Sequence, residues 1–241
     1  MSVRGLIELS RPDQRNALDG EGWRAIAEGV RRHADDPAVR VLIVRSGGPV
    51  FCAGADVGWM RGADERELRL AAEALDAIAA CPKPVVARVH GPAYGGGVGL
   101  VAACDLVVAS SEARFTLSEV RIGVAPAMVS RAVIGRVGGA RFRAWALTAR
   151  GITAEEALAA GLVDRVAPPD GLDEALSEVV RALAAGEPGA LATVKRLFPD
   201  GLETDAAVAE LARLRERPEF AEGMAAVREK RPAAWTCEER C

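Results

Sequence analysis

Apolar residues follow two kinds of pattern along this chain, and the change between them comes near residue 170. Before it, short apolar runs alternate with stretches whose apolar residues recur every three or four positions. VRVLIV (39–44), PVVARV (84–89) and DLVVAS (105–110) are of the first kind. Short runs rich in β-branched residues mark strands covered on both faces, as in a parallel sheet. GLIELS (5–10) reads as a further strand, broken by RPDQRNAL. Trp23, Ile26, Ala27 and Val30 keep helical spacing, and so do Leu68, Ala72, Leu75, Ile78 and Ala79. Strands alternating with helices imply βαβ-like units with right-handed crossovers. Beyond the change only helical patterns remain: LDEALSEVVRALAAG, ALATVKRLF, TDAAVAELARL and PEFAEGMAAVREK, set apart by Gly and Pro. The reading is an α/β core over 1–170 and a helical region over 171–241, without a fixed-period repeat.

Composition narrows the function classes. Half of the 241 residues are hydrophobic, enough for a large core. A net charge of -3, with both signs interspersed, gives no electrostatic case for nucleic acid or a membrane surface. No apolar run reaches ~18 residues and no signal-like segment opens the chain, so a soluble, cytoplasmic protein is expected. Five cysteines, an odd number, argue for reduced thiols. Cys237 and Cys241 are spaced C-x3-C, but His33 and His90 lie far from them in sequence, so a polar tail is expected there and no metal site.

Two loops carry the candidate chemistry. FCAGADVGWM (51–60) and HGPAYGGGVG (90–99) each follow a buried strand and offer almost no reactive side chain. Small residues let a ligand approach the main chain. Gly95, Gly96 and Gly97 precede VGLVAAC, at the start of a helix, where unpaired N–H groups and the helix dipole favour negative charge. Asp56 stands where a helix needs a cap. Two N–H groups converging from separate loops would form an oxyanion hole. Taken singly, each loop reads equally as a tight turn with close packing.

In order along the chain, RPDQRNAL, FCAGAD, HGPAYGGGVGL, ACDLVVAS, GITAEEALAAGLVDRV and EGMAAVREKRPAAW resemble the crotonase (enoyl-CoA hydratase/isomerase) superfamily over nearly the whole length. The resemblance implies a spiral of ββα units whose helical C-terminal region builds trimers or dimers of trimers. It implies an acyl-CoA substrate, with coenzyme A as part of the substrate and no further cofactor. The oxyanion donors fall on the N–H groups of Ala55 and Gly96. Ala17, Ala53, Asp56, Val57, Met60 and Gly95 fall beside the acyl and pantetheine chains; Tyr94 reads as lining the acyl pocket or as packing, and Lys230 as reaching a CoA phosphate across a subunit contact or as a solvated lysine. The start of the chain departs from the family pattern, lacking part of the usual opening hairpin.

A thioester α-proton needs an acid or base. Glu119, in RFTLSEVRIG, has Leu117 and Val120 as neighbours and Ser118 as a possible helix cap. Desolvation would raise its pKa toward working pH. The segment matches the family's second acidic position. Familiar hydratases carry a first glutamate three residues after the donor glycine, and here that residue is Gly99. A methyl at Gly99 reads as tolerable. The run from GLVAACDLVVAS through FTLSEVRIGVAPAMVSRAV looks most like bacterial hydratases of branched glutaconyl-type CoA thioesters. The expectation is therefore an enoyl-CoA hydratase using one glutamate. A Δ3,Δ2-enoyl-CoA isomerase, an acyl-CoA decarboxylase and a non-catalytic binder of CoA esters are the alternatives. His90 reads as a hydrogen-bonded structural histidine or an auxiliary base, Arg121 as a packing arginine or a partner for a distal carboxylate. Cys52 reads as a small buried residue, lacking a base partner.

Overall fold

The computed structural model describes residues 3–197 and 201–236. Cys237 and Cys241 lie outside the described residues. Five strands form a wholly parallel sheet: β1 (Arg4–Leu9), β2 (Val41–Ser46), β3 (Val85–Val89), β5 (Leu106–Ser110) and β8 (Arg165–Ala167), in that spatial order. A small second sheet joins β4 (Ala93–Tyr94), β6 (Arg114–Thr116) and β7 (Ile152–Thr153).

The apolar runs form strands because both of their faces are covered. Leu42, Val44, Val85, Ala87 and Val107 face a large core beneath α1 (Gly20–Asp35), α3 (Glu65–Ala80), α4 (Gly96–Ala103) and α5 (Ala127–Val137). Their neighbours Val41, Ile43, Val86 and Val108 face a second core under α8 (Leu172–Ala184), through Leu172, Ala175, Leu176 and Val180. Each buried Val, Leu or Ile among them contributes ~1.5–3 kcal/mol, so a polar substitution on either face would be costly. The helical region beyond residue 170 thus begins with a layer of the core, α8, and not with an appendage.

Helix starts are written in the sequence. Asp19 caps α1 by accepting from the Gly22 N–H at 2.9 Å, and α3 opens on a reciprocal capping box between Asp64 and Glu67. Trp23, Ile26, Ala27 and Val30 are buried as their spacing predicts. On α3 the buried face is Ala71, Ala74, Leu75 and Ile78, while Ala79 is exposed. Small alanines all round that helix gave the period little contrast, and the packing of α3 on α1 decided the face.

Two aspartates stitch strand starts together. The Asp105 carboxylate accepts from the Val85 N–H at 2.7 Å while its own N–H donates to Val85 O at 2.8 Å. Asp164 does the same one strand later, at 2.7 and 2.9 Å from Val107. Each is paired with a cation: Lys195 of α9 (Pro188–Leu197) at 2.6 Å and Arg136 at 3.1 Å. Burial pushes the Asp105 carboxyl up, against the pull of Lys195. The remaining helices are α2 (Val57–Gly62), α6 (Gly139–Thr148), α7 (Ala154–Ala160), α10 (Thr204–Arg215) and α11 (Pro218–Glu229). Of the last two, α10 buries no residue and α11 only Ala226.

Candidate active site

The loop that ends at Asp56 is laid against an irregular segment, Arg15–Leu18, as a template. Arg15 and Asn16 both take left-handed backbone conformations, at φ 53° and 56°. Asn16 is held there by its buried amide, which donates to Gly47 O and Val50 O, each at 2.8 Å. The Ala53 N–H then donates to Arg15 O (2.9 Å), Leu18 N–H to Gly54 O (2.8 Å) and Asp56 N–H to Leu18 O (2.8 Å). This is one bridge of a parallel ladder, in which Leu18 bonds the residues on either side of Ala55. The N–H of Ala55 must therefore face the other way.

It faces the start of α4. A methyl built on Gly96 would stand 3.4 Å from the Ala55 nitrogen and 3.2 Å from the Trp23 ring, so the two chains meet there. Gly96 is the first residue of α4, and its N–H has no intrahelical acceptor. Neither N–H finds an acceptor among the described residues. Gly54 makes the approach possible, because it sits at φ +91° and a side chain would come within 2.8 Å of Tyr94 O.

Glu119 lies on a 3-10 turn (Glu119–Ile122) just past β6. Its Oε1 is 3.0 Å from where a methyl on Gly95 would stand, which puts the carboxylate beside the residue preceding Gly96. The side chain is half-buried, and Oε2 is enclosed without a hydrogen-bond partner. Desolvation raises its pKa, offset in part by a hydrogen bond to its own backbone. Ser118 does not cap the turn as its position predicts: its side chain makes no capping bond.

The position where a second carboxylate would be sought is filled. A methyl on Gly99 would collide with Val129 Cγ1 and lie 2.6 Å from its Cβ, because α4 and α5 pack in contact at that point. The tolerance expected of a methyl there is thus wrong. Neither Val129 nor the Trp23 ring under Gly96 could be assigned from the chain alone. Trp23 did carry a signal, as a core residue, while the pairing of 99 with 129 carries none.

The other sequence candidates divide into two groups. Ala17, Ala53, Asp56, Tyr94 and Gly95 lie within this construction. Asp56 caps α2 through the Trp59 N–H at 3.0 Å, and Tyr94 donates its N–H to Cys52 O at 2.9 Å. Val57 is exposed and Met60 half-buried on α2, directly after the cap. Lys230 is elsewhere: it ends α11 at φ 54° and lines a groove of about 640 Å3 built wholly from residues after 184. His90 faces Gly48 O at 2.8 Å and Arg121 donates to Ala149 O at 2.8 Å, both tied into packing. Cys52 is buried, with its thiol pushed up to about 12 by desolvation and directed at Asn16 O, which rules it out as a ready nucleophile. Among the described residues no three His, Cys, Asp or Glu side chains gather as a metal-binding group.

A half-buried carboxyl whose pKa desolvation raises, beside two unpartnered N–H groups, can move a proton at a carbon next to a carbonyl while that carbonyl's oxygen takes up charge. The enoyl-CoA hydratase/isomerase family profile matches residues 4–238. A Thermus thermophilus protein provisionally named an enoyl-CoA hydratase is 36% identical over 240 residues, covering 94% of this chain and 95% of that one. The human mitochondrial Δ(3,5)-Δ(2,4)-dienoyl-CoA isomerase is 34% identical over 196 residues, covering 74% of this chain and 59% of that longer protein. Among solved structures, an enoyl-CoA hydratase of Mycobacterium smegmatis superposes with a TM-score of 0.90 at 32% identity, over 98% of this chain and 96% of its own. With the family profile spanning almost every residue and the fold shared end to end, this chain belongs to the enoyl-CoA hydratase/isomerase family and has the crotonase fold.

Proposed function

We propose that the protein hydrates an α,β-unsaturated acyl-CoA thioester with Glu119 as its one acid/base. The observation that carries this reading is the Glu119 carboxylate, half-buried with an idle Oε2, next to the free N–H groups of Ala55 and Gly96. In this reading the thioester oxygen accepts from both N–H groups. Glu119 takes a proton from water as its oxygen bonds to Cβ, and the electron pair of the double bond moves into the enolate. The proton then passes from Glu119 to Cα, which restores the carbonyl and leaves a 3-hydroxyacyl-CoA. Coenzyme A is a part of the substrate, and no step calls for a metal or a redox cofactor.

A second reading has its own support. Val129 fills the space at Gly99, so no side chain there can hold the water. A single carboxylate that takes a proton from one carbon and returns it to another would isomerise a β,γ double bond into conjugation. We further place self-association, as a trimer or dimer of trimers, on the apolar faces of α10 and α11, with Lys230 serving a neighbouring copy's CoA.

The test is turnover of enoyl-, β,γ-enoyl- and glutaconyl-type CoA esters in 18O-labelled water, read by mass spectrometry. Hydration incorporates one labelled oxygen into the product. Conversion of a β,γ-enoyl ester alone, without label, would replace hydration by isomerisation. An inert protein across the whole set would remove the enzyme reading.

A further inference from the structure

The RPDQRNAL stretch holds a residue that the chemistry above leaves unused. Arg11 precedes the 3-10 turn Pro12–Gln14, and its guanidinium is half-buried between two helix caps. Nη1 lies 2.7 Å from Asp19 Oδ2 and donates to Ala17 O at 3.1 Å. Nη2 lies 3.5 Å from Asp56 Oδ2 and donates to Gln14 Oε1. Each aspartate divides its labour: Asp19 Oδ1 caps α1 and Asp56 Oδ1 caps α2, leaving both Oδ2 atoms for the arginine.

The placement has a direct bearing on Ala55. Ala17 and Asp19 flank Leu18, and Asp56 follows Ala55. Leu18 and Ala55 are the two residues of the bridge that turns the Ala55 N–H toward Gly96. Arg11 therefore grips both strands of that bridge from one side. The other side has no such tie, since the N–H it must present is free. A planar fork with five donors can span both caps at fixed spacing, which an ammonium cannot.

We propose that Arg11 is a positioning residue that holds the Ala55 N–H in register with the Gly96 N–H. The inference rests on the reading of these two groups as the oxyanion donors. Their separation matters because such donors act only at short, fixed distances from the developing charge. A displacement of the order of 1 Å at a reacting centre can cost about a hundredfold in rate.

The experiment compares the native protein with Arg11→Lys and Asp56→Asn. Asp56→Asn keeps an oxygen for the α2 cap and removes the charge that faces Arg11, so it decides the matter if Arg11→Lys does not fold. Turnover is measured together with affinity for a saturated acyl-CoA carrying a 13C thioester carbonyl, whose infrared band reports polarisation when bound. Both variants should lose about tenfold or more in kcat with affinity changed by less than about threefold. In both, the bound carbonyl band should return toward its position in free solution, and the double variant should be no worse than the worse single one. If the native protein leaves the band unshifted, the donor reading itself fails. A shifted native band that stays unchanged in both variants overturns the role of Arg11 alone and leaves the donors in place.

Discussion

The loops carrying Ala55 and Gly96 are seated on wholly buried core residues, whereas α10 and α11 hold almost nothing beneath them. Cys52, Ala93 and Leu100 near the loops are wholly buried. Val208, Leu211 and Val227 on the two helices are 64%, 61% and 76% exposed. What orders these loops is main-chain bonding over a two-sided sheet. What orders the last helices within the chain is charge. Glu210 bonds Arg213 and Arg196, which holds its carboxyl down at about 2, and Glu222 is held down at about 2 by Arg231. Exposed pairs of that kind contribute little stability. The difference separates a part whose geometry the chain fixes by itself from a part whose apolar face the chain leaves exposed.

The largest effect expected on the first part comes from Glu119→Gln. Turnover should fall by at least ~10²–10⁴-fold, because the amide keeps the shape and cannot cycle a proton. Stability should move the opposite way. The folded state raises the Glu119 pKa, so it binds the proton more tightly than the unfolded chain does. Ionisation therefore costs stability as pH rises from an ordinary glutamate's range through the raised value. Melting temperatures across that window should fall with pH in the native protein and less so in the variant. Equal slopes would mean that Glu119 is solvated in both states.

A smaller and purely structural effect is expected at Gly99. The added methyl of Gly99→Ala must displace Val129, and overpacking of this kind costs ~1–3 kcal/mol. For a chain of this size each kcal/mol lowers the melting point by about 2–4 °C. The loss should be independent of protein concentration, as befits a contact within one chain. An unchanged melting point would show that α5 gives way freely.

The smallest intrinsic effect is expected on the other side of the comparison. Val227→Asp on α11 should change the stability of a dilute single chain by no more than ~0.5 kcal/mol. Its visible consequence should be a lower molar mass by light scattering at micromolar concentration. Native self-association that survives Val227→Asp and Leu211→Asp together would place the contact elsewhere.

Strands β2, β3 and β5 were legible because burial on both faces leaves nearly unbroken apolar runs, and the terminal helices because Gly and Pro separate them. Two- and three-residue strands such as Ala93–Tyr94 and Ile152–Thr153 are too short to show any period. The stretch holding α5 and α6 likewise does not stand out. It exposes Met128, Ile134 and Leu147 among its buried residues, which blurs the apolar face. At the site, the small residues of 52–56 and 95–97 signalled backbone chemistry. Which N–H stays free was not readable, since it depends on the Leu18 bridge, a contact between residues 37 apart in sequence. Arg11 and Val129 escaped notice for the same reason. Their partners are set by the packing of separate elements and leave no periodic trace. The Asp105 and Asp164 stitches show, conversely, that the spiral does repeat, in hydrogen bonding and not in residue spacing.

The contact between Gly99 and Val129 also constrains how this protein could change its chemistry by mutation. A carboxylate acquired first at 99 must displace the valine further than the methyl does, at a larger cost in stability. Trimming Val129 first leaves a void beside a helix that still offers only glycine, and large-to-small changes in a core are destabilising. Each single step costs stability and the two side chains compete for one space, so their effects should not add. Under the single-glutamate reading proposed above, packing at this pair would keep a second carboxylate from position 99 whatever substrate the protein meets.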